Sequence, residues 1–142
     1  METLKISDLS VGDWVEFRGN ICTIRSTFQA AGDVPDEVVL SSKNNYLGVA
    51  PVSELRPILI TAEILGKNGW TSDEMCAEMR ITEYSHLEYY FREHRLREWV
   101  YRETGWLPGE VVTSIAFTAH CYSVHQLQHA LRLAGVDKEI NL

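Results

Sequence analysis

A chain of 142 residues is long enough to bury a real core and short enough to form one domain or two small subdomains. With 45% hydrophobic and 23% charged residues it has the composition of a folded globular protein and excludes a disordered one. Its 20 acidic against 13 basic residues, a net charge of −7, argue against contact with bulk nucleic acid, which depends on neutralising many phosphates.

From residue 9, "LSVGDWVEFRGNICTIRSTF" alternates apolar and polar positions around Arg18-Gly19-Asn20 and predicts two short strands joined by a turn. Val11, Val15 and Phe17 are expected on one face of the first. Cys22 and Ile24 are expected on one face of the second, with Ile21 on the other. Two further extended segments, "DEVVLSS" and "YLGVAPVSEL", follow loops rich in Gly, Asp, Asn and Ser. Four or five short strands in residues 1–57 predict an SH3-like small β-barrel or a curled sheet. Pro57 closes that unit, and residues 58–142 are expected to form a second unit sharing its core.

"TAEILGKNGW" predicts a short linking helix, capped by Thr61, with Gly66 or Gly69 in the left-handed position at its end. The stretch from Tyr84 to Arg102 reads at two periods. At helical spacing it gives a loose stripe with Glu88 and Arg92 paired. At period two Leu87, Tyr89 and Phe91 share one face, and Arg97, Trp99 and Tyr101 share one after a turn near residues 93–95. Its aromatic density favours the hairpin. "TGWLPGE" is a turn, "VVTSIAFT" a strand. Ser123 and Gln126 form a capping-box pair, placing a last helix from Val124 to just before Gly135. Val124, Leu127, Ala130, Leu131 and Ala134 fall on one side of it and His125, His129 and Arg132 on the other. The fold class expected is α+β: the strand unit, the linking helix, then a hairpin or meander packed on the final helix.

His120, Cys121, His125 and His129 fall within ten positions. His125 and His129 have the i,i+4 spacing of two ligands to one metal, but Gln126 stands where zinc-protease helices carry a glutamate, so the motif supplies no general base. The reading favoured is a polar helix face with no metal and no cofactor. Nothing marks Cys121 as a nucleophile, and no Gly-rich phosphate loop is present. Cys22, Cys76 and Cys121 are odd in number and far apart, which predicts neither a disulfide framework nor a zinc ribbon. No leader-like segment and no run approaching the roughly 20 apolar residues of a membrane helix is seen. A cytoplasmic protein without a membrane partner is expected.

One stretch mixes recognition chemistry. "YYFREHRLREWVYRE" combines Tyr90, Trp99 and Tyr101 with Arg92, Arg95 and Arg97, and balances four arginines against four glutamates over residues 87–103. Aromatic planes stack on bases, and guanidinium forks grip phosphates or carboxylates at two points. The competing reading is an ordinary sheet whose cross-strand charges neutralise one another.

Three segments, "LSVGDWVEF", "ELRPILITAEILGKNGW" and "YSVHQLQHALRLAGVDKEINL", resemble a family of small uncharacterised proteins recurrent in Bacteroidetes genomes, their prophages and phages. The resemblance implies a genomic setting and no activity. By analogy with small phage accessory proteins it implies a partner that is a host or phage protein, or a nucleotide signal of host immunity. The expectation is therefore a non-enzymatic protein that binds a small anionic nucleotide-like ligand through Tyr90, Arg92, Arg95, Arg97, Trp99 and Tyr101, helped by His125 and His129. The alternative is a protein-protein interaction module. A homodimer is compatible with either.

Overall fold

The alternation in the first third of the chain produces an antiparallel sheet. The structure, a computed structural model, describes residues 3–42 and 45–142. Strand β1 (Trp14–Phe17) turns into β2 (Asn20–Phe28) through Arg18 and Gly19. Both turn residues have positive φ, 49° and 81°, the mirror-image geometry whose twist suits a two-residue hairpin. Glycine takes that conformation without strain, which is why Gly19 stands there.

β3 (Glu37–Ser42) pairs with β2, and β4 (Asn45–Pro51) pairs with β3. A 3₁₀ turn at Val52–Glu54 then returns β5 (Leu55–Arg56) beside β1, giving the order β4-β3-β2-β1-β5. The sheet is open: among the described residues no pairing joins β4 to β5, so the curled-sheet form of the expectation holds and the closed barrel does not. β5 has only two residues before Pro57, too little strand to bridge to a second neighbour.

One side of this sheet is apolar. Val15, Cys22, Ile24, Val38 and Leu40 are at most 1% exposed and cluster with Leu4, Leu9 and Val52. Ile21 faces outward, as its alternation with Cys22 requires. Val11 does not share the buried face expected of it: it precedes β1, next to Gly12 with φ 92°, and is exposed.

The linking helix α1 (Ala62–Lys67) is capped by Thr61, whose Oγ1 accepts a hydrogen bond from the Ile64 N–H at 3.2 Å. Of the two candidate glycines, Gly66 lies within the helix and Gly69, after it, takes the left-handed conformation, with φ 88°. β6 (Thr71–Ser72), β7 (Cys76–Thr82), β8 (Ser85–Tyr90), β9 (Arg95–Glu103) and β10 (Val111–His120) follow as an up-and-down meander in the order β10-β9-β8-β7-β6. The residues from 84 to 102 are thus a hairpin, not a helix. The α+β class stands: the described residues form two five-stranded antiparallel sheets and two α-helices.

The last helix, α2 (Val124–Leu133), has the boundaries its capping and glycine signals predict. It ends in paired bonds, Val136 N–H to Leu131 O and Gly135 N–H to Arg132 O, around Gly135 at φ 75°. Leu127 and Leu131 are fully buried and Ala134 half-buried. The polar face expected opposite them is only partly polar and open. Arg132 is exposed and His129 half-buried, but His125 is buried, with Nδ1 2.9 Å from Ser123 Oγ. A buried imidazole is tolerated when a hydrogen-bonding partner lies within reach, and Ser123 is one. Gln128 is buried too, and its Oε1 accepts from the Ile140 N–H at 2.8 Å.

By its contacts the chain divides into two units: residues up to Leu59 with Ser123–His125 and Leu142, and Ile60–Tyr122 with Gln126–Asn141. No helix among the described residues is long and apolar enough to cross a membrane.

Candidate binding face

Residues directly opposite in an antiparallel pair project to the same side of the sheet. In the β8–β9 hairpin His86 faces Trp99, Glu88 faces Arg97, and Tyr90 faces Arg95. One face therefore gathers His86, Glu88, Tyr90, Arg95, Arg97, Trp99 and Tyr101. The other side carries Leu87, Tyr89 and Leu96, each at most 1% exposed. Core on one side thus commits the arginines and most of the hairpin's aromatics to the opposite side. β10 extends that face by placing Thr118 beside Arg97 and His120 beside Arg95.

Glu88 organises the middle. Its carboxylate accepts hydrogen bonds from the Tyr90 hydroxyl, from Trp99 Nε1 at 3.1 Å and from His86 Nε2 at 2.9 Å. The Tyr101 hydroxyl meets His86 Nδ1, and the two rings stack 5.2 Å apart. Burial pushes the Glu88 carboxyl up, but the hydrogen bonds from Tyr90, His86 and Trp99, with the attraction of His86 when protonated, outweigh it and hold the group below its ordinary value. The same bond acts the other way on Tyr90, whose hydroxyl is pushed up to about 12, first by donating to Glu88 and then by burial.

The cationic end lies toward β10. Arg95 donates from Nη1 to Thr118 Oγ1 at 3.2 Å and from Nη2 to His120 Nε2 at 2.7 Å. Since a guanidinium only donates, that imidazole nitrogen accepts. Arg97 lies over the Tyr90 ring, 4.9 Å from its centroid, and pairs with Glu93 at 3.6 Å. Glu93 thus neutralises part of the Arg97 charge, from the turn and not across the strands.

Of the residues expected at a site, the hairpin brings together Tyr90, Arg95, Arg97, Trp99 and Tyr101. Arg92 is exposed in the turn, off the sheet face, and its helical pairing with Glu88 does not form. His125 is buried, so its ring is not offered at a surface. Glu88, Thr118, His120 and His86, the last of them buried, lie on this side of the sheet without having been expected there. The alternation of His86 and Glu88 with Tyr90 is the signal that could have found two of them.

Among the described residues no group of three or more His, Cys, Asp or Glu side chains could hold a metal ion. The three cysteines are free. Burial pushes the Cys121 thiol up to about 12. Cys76 rises to about 11, by burial and then by the negative charges of Glu88, Asp73 and Glu78. An activated nucleophile requires the reverse shift. Both thiols are expected to react with iodoacetamide at neutral pH much more slowly than in the urea-unfolded chain, as followed by mass spectrometry. An open hollow of about 270 Å³ in the first unit, lined by Leu4, Lys5, Pro35, Asp36 and Val52 among others, contains none of the expected site residues.

No family model, curated protein or solved structure matches the chain.

Proposed function

We propose that the protein is a non-enzymatic binding protein that takes a small anionic, nucleotide-like ligand on the hairpin face of its second sheet. One observation carries this reading: strand register sets two guanidiniums, Arg95 and Arg97, on the same face as the planes of Tyr90, Trp99 and Tyr101. Alternate residues of a strand stand roughly 7 Å apart, so two forks can address one multiply charged ligand. The negative charge of Glu88 disfavours an anion at the middle of the face. The phosphate end therefore belongs over Arg95, Thr118 and His120, with the base toward Trp99. Sequestration of a nucleotide signal in a phage or prophage setting is the role that goes with this reading.

A panel of linear and cyclic nucleotides, read by thermal shift, tests it. Ligand at about 100 times its dissociation constant stabilises a fold by about 2.7 kcal/mol, a clear rise in melting temperature. Arg95→Ala and Arg97→Ala are each expected to weaken binding about tenfold or more, because each removes a charge-assisted hydrogen-bond donor. No shift with any nucleotide, together with a bare mass in native mass spectrometry of untagged protein, sinks the proposal.

A protein-recognition module is the second reading, favoured by Trp106, which is 88% exposed beside an exposed Leu107 in the β9–β10 turn. Recovery of one stoichiometric partner, lost on Trp106→Ala, is its expected result.

A further inference from the structure

β10 is the outermost strand of the second sheet, and from Val111 to Ile115 every residue is exposed. A sheet edge presents unpaired backbone N–H and C=O groups to any strand laid beside it, and folded proteins blunt such edges with short strands, proline, charge or bulges. The other three edges here are blunted. β5 and β6 have two residues each. β4 is interrupted by a register shift, carries Gly48 at φ 119° and ends on Pro51.

β10 has one interruption, between Ile115 and Phe117. That leaves the five-residue run Val-Val-Thr-Ser-Ile, Val111 to Ile115, without glycine, proline or charge. Val111, Val112 and Ile115 are each about half exposed, at 51, 47 and 48%.

This run matches its own reverse. A two-fold axis through Thr113, perpendicular to the sheet, sets Val111 of one copy opposite Ile115 of the other, Val112 opposite Ser114, and Thr113 opposite Thr113. The facing side chains then lie on the correct sides, because Val111, Thr113 and Ile115 all project with Glu103, Tyr101 and Trp99 on one face. β-branched and Thr–Thr cross-strand pairs are favourable combinations. Charge selects the same place. A chain of net −7 repels its own copy over most of its surface, but Val111 to Ala119 carries no charged side chain, and Glu110 falls opposite Ala116 in this register.

We propose that a second copy of this chain pairs antiparallel along Val111–Ile115, joining two five-stranded sheets into one across an isologous interface.

Sedimentation of the full chain tests this with a built-in rescue. The wild type is expected to approach twice 16.2 kDa as its concentration rises. Thr113→Lys places two lysines opposite each other at the axis, and Thr113→Glu two glutamates. Each variant alone is expected to dissociate at least about tenfold more readily than the wild type. An equimolar mixture of the two is expected to recover the dimer, which a merely misfolded variant could not do. Amide exchange of the wild type adds a second readout: β10 amides should become protected with rising concentration. A wild type that stays at monomer mass, a Thr113→Lys dimer as tight as the wild type, a mixture that fails to re-form the dimer, or β10 amides that exchange equally at every concentration overturns the proposal. A monomer that instead captures an extended peptide along β10 counts among those results.

Discussion

Tyr89→Ala is expected to lower the unfolding free energy by about 3–5 kcal/mol, the range for deleting a large buried ring. Tyr89 is 1% exposed and is the largest of the fully buried side chains. Its ring meets Phe91 edge-on at 5.5 Å, and its hydroxyl donates to the Cys121 carbonyl at 2.6 Å, tying the end of β8 to the residue that follows β10. Tyr89→Phe keeps the ring and leaves that carbonyl without this donor, so a smaller loss of about 1–2 kcal/mol is expected.

Urea denaturation of both variants separates ring from hydroxyl. Equal losses would mean that the hydrogen bond, not the packing, holds this strand end. The pH dependence gives an independent check. Burial first, then Cys121 and Tyr122, raise the Tyr89 hydroxyl above its ordinary value of about 10. A proton held more tightly in the folded state leaves stability intact below about pH 10 and erodes it as pH rises beyond that, so Tyr89→Phe should show a flatter alkaline limb than the wild type.

Much of this architecture is legible in local signals. Gly135 marks the end of α2, Thr61 the start of α1, and Arg18-Gly19 the first hairpin, because caps and two-residue turns depend on a few neighbouring residues; the start of α2 falls where Ser123 and Gln126 predict it, with Gln126 Oε1 accepting from the Tyr122 N–H at 2.8 Å. β7 is the clearest omission. Ala77, Glu78, Met79, Arg80 and Ile81 alternate as a strand should, but alanine, glutamate and methionine are better helix formers than strand formers.

The candidate face is only half legible, for a different reason. Alternation predicts that Arg97, Trp99 and Tyr101 share a side. That Glu88 rather than another of the neighbouring glutamates should gather Tyr90, Trp99 and His86 depends on register, and a slip of one residue would turn the set to the other side. His125 shows the converse limit. Helical periodicity assigns it to a polar side, whereas burial depends on what encloses the first turn of α2, and that is long-range information.

Glu88→Ala removes one acceptor from three donors and is expected to cost about 2–3 kcal/mol. A net hydrogen bond contributes about 1 kcal/mol, and partial exposure of the carboxylate, 21%, lets water replace some of the loss. Glu88→Gln keeps the shape but loses the charge, and it isolates the titration. Because the folded carboxyl sits below its ordinary value, its contribution is complete above about pH 4.5 and is lost as pH falls through the folded value. Glu88→Gln should therefore flatten the acid limb of stability measured by urea titration. The same change deletes the negative charge opposite Arg97, so its effect on anion binding carries the opposite sign. If Arg95 holds the phosphate end of a nucleotide, with Arg97 adding to the positive field beside it, Glu88→Gln should be less stable than the wild type, yet bind the nucleotide found in the thermal-shift panel about two- to fivefold more tightly, with the gain shrinking as salt is added. Weaker binding instead would place Glu88 against the ligand itself, accepting hydrogen bonds from its base edge.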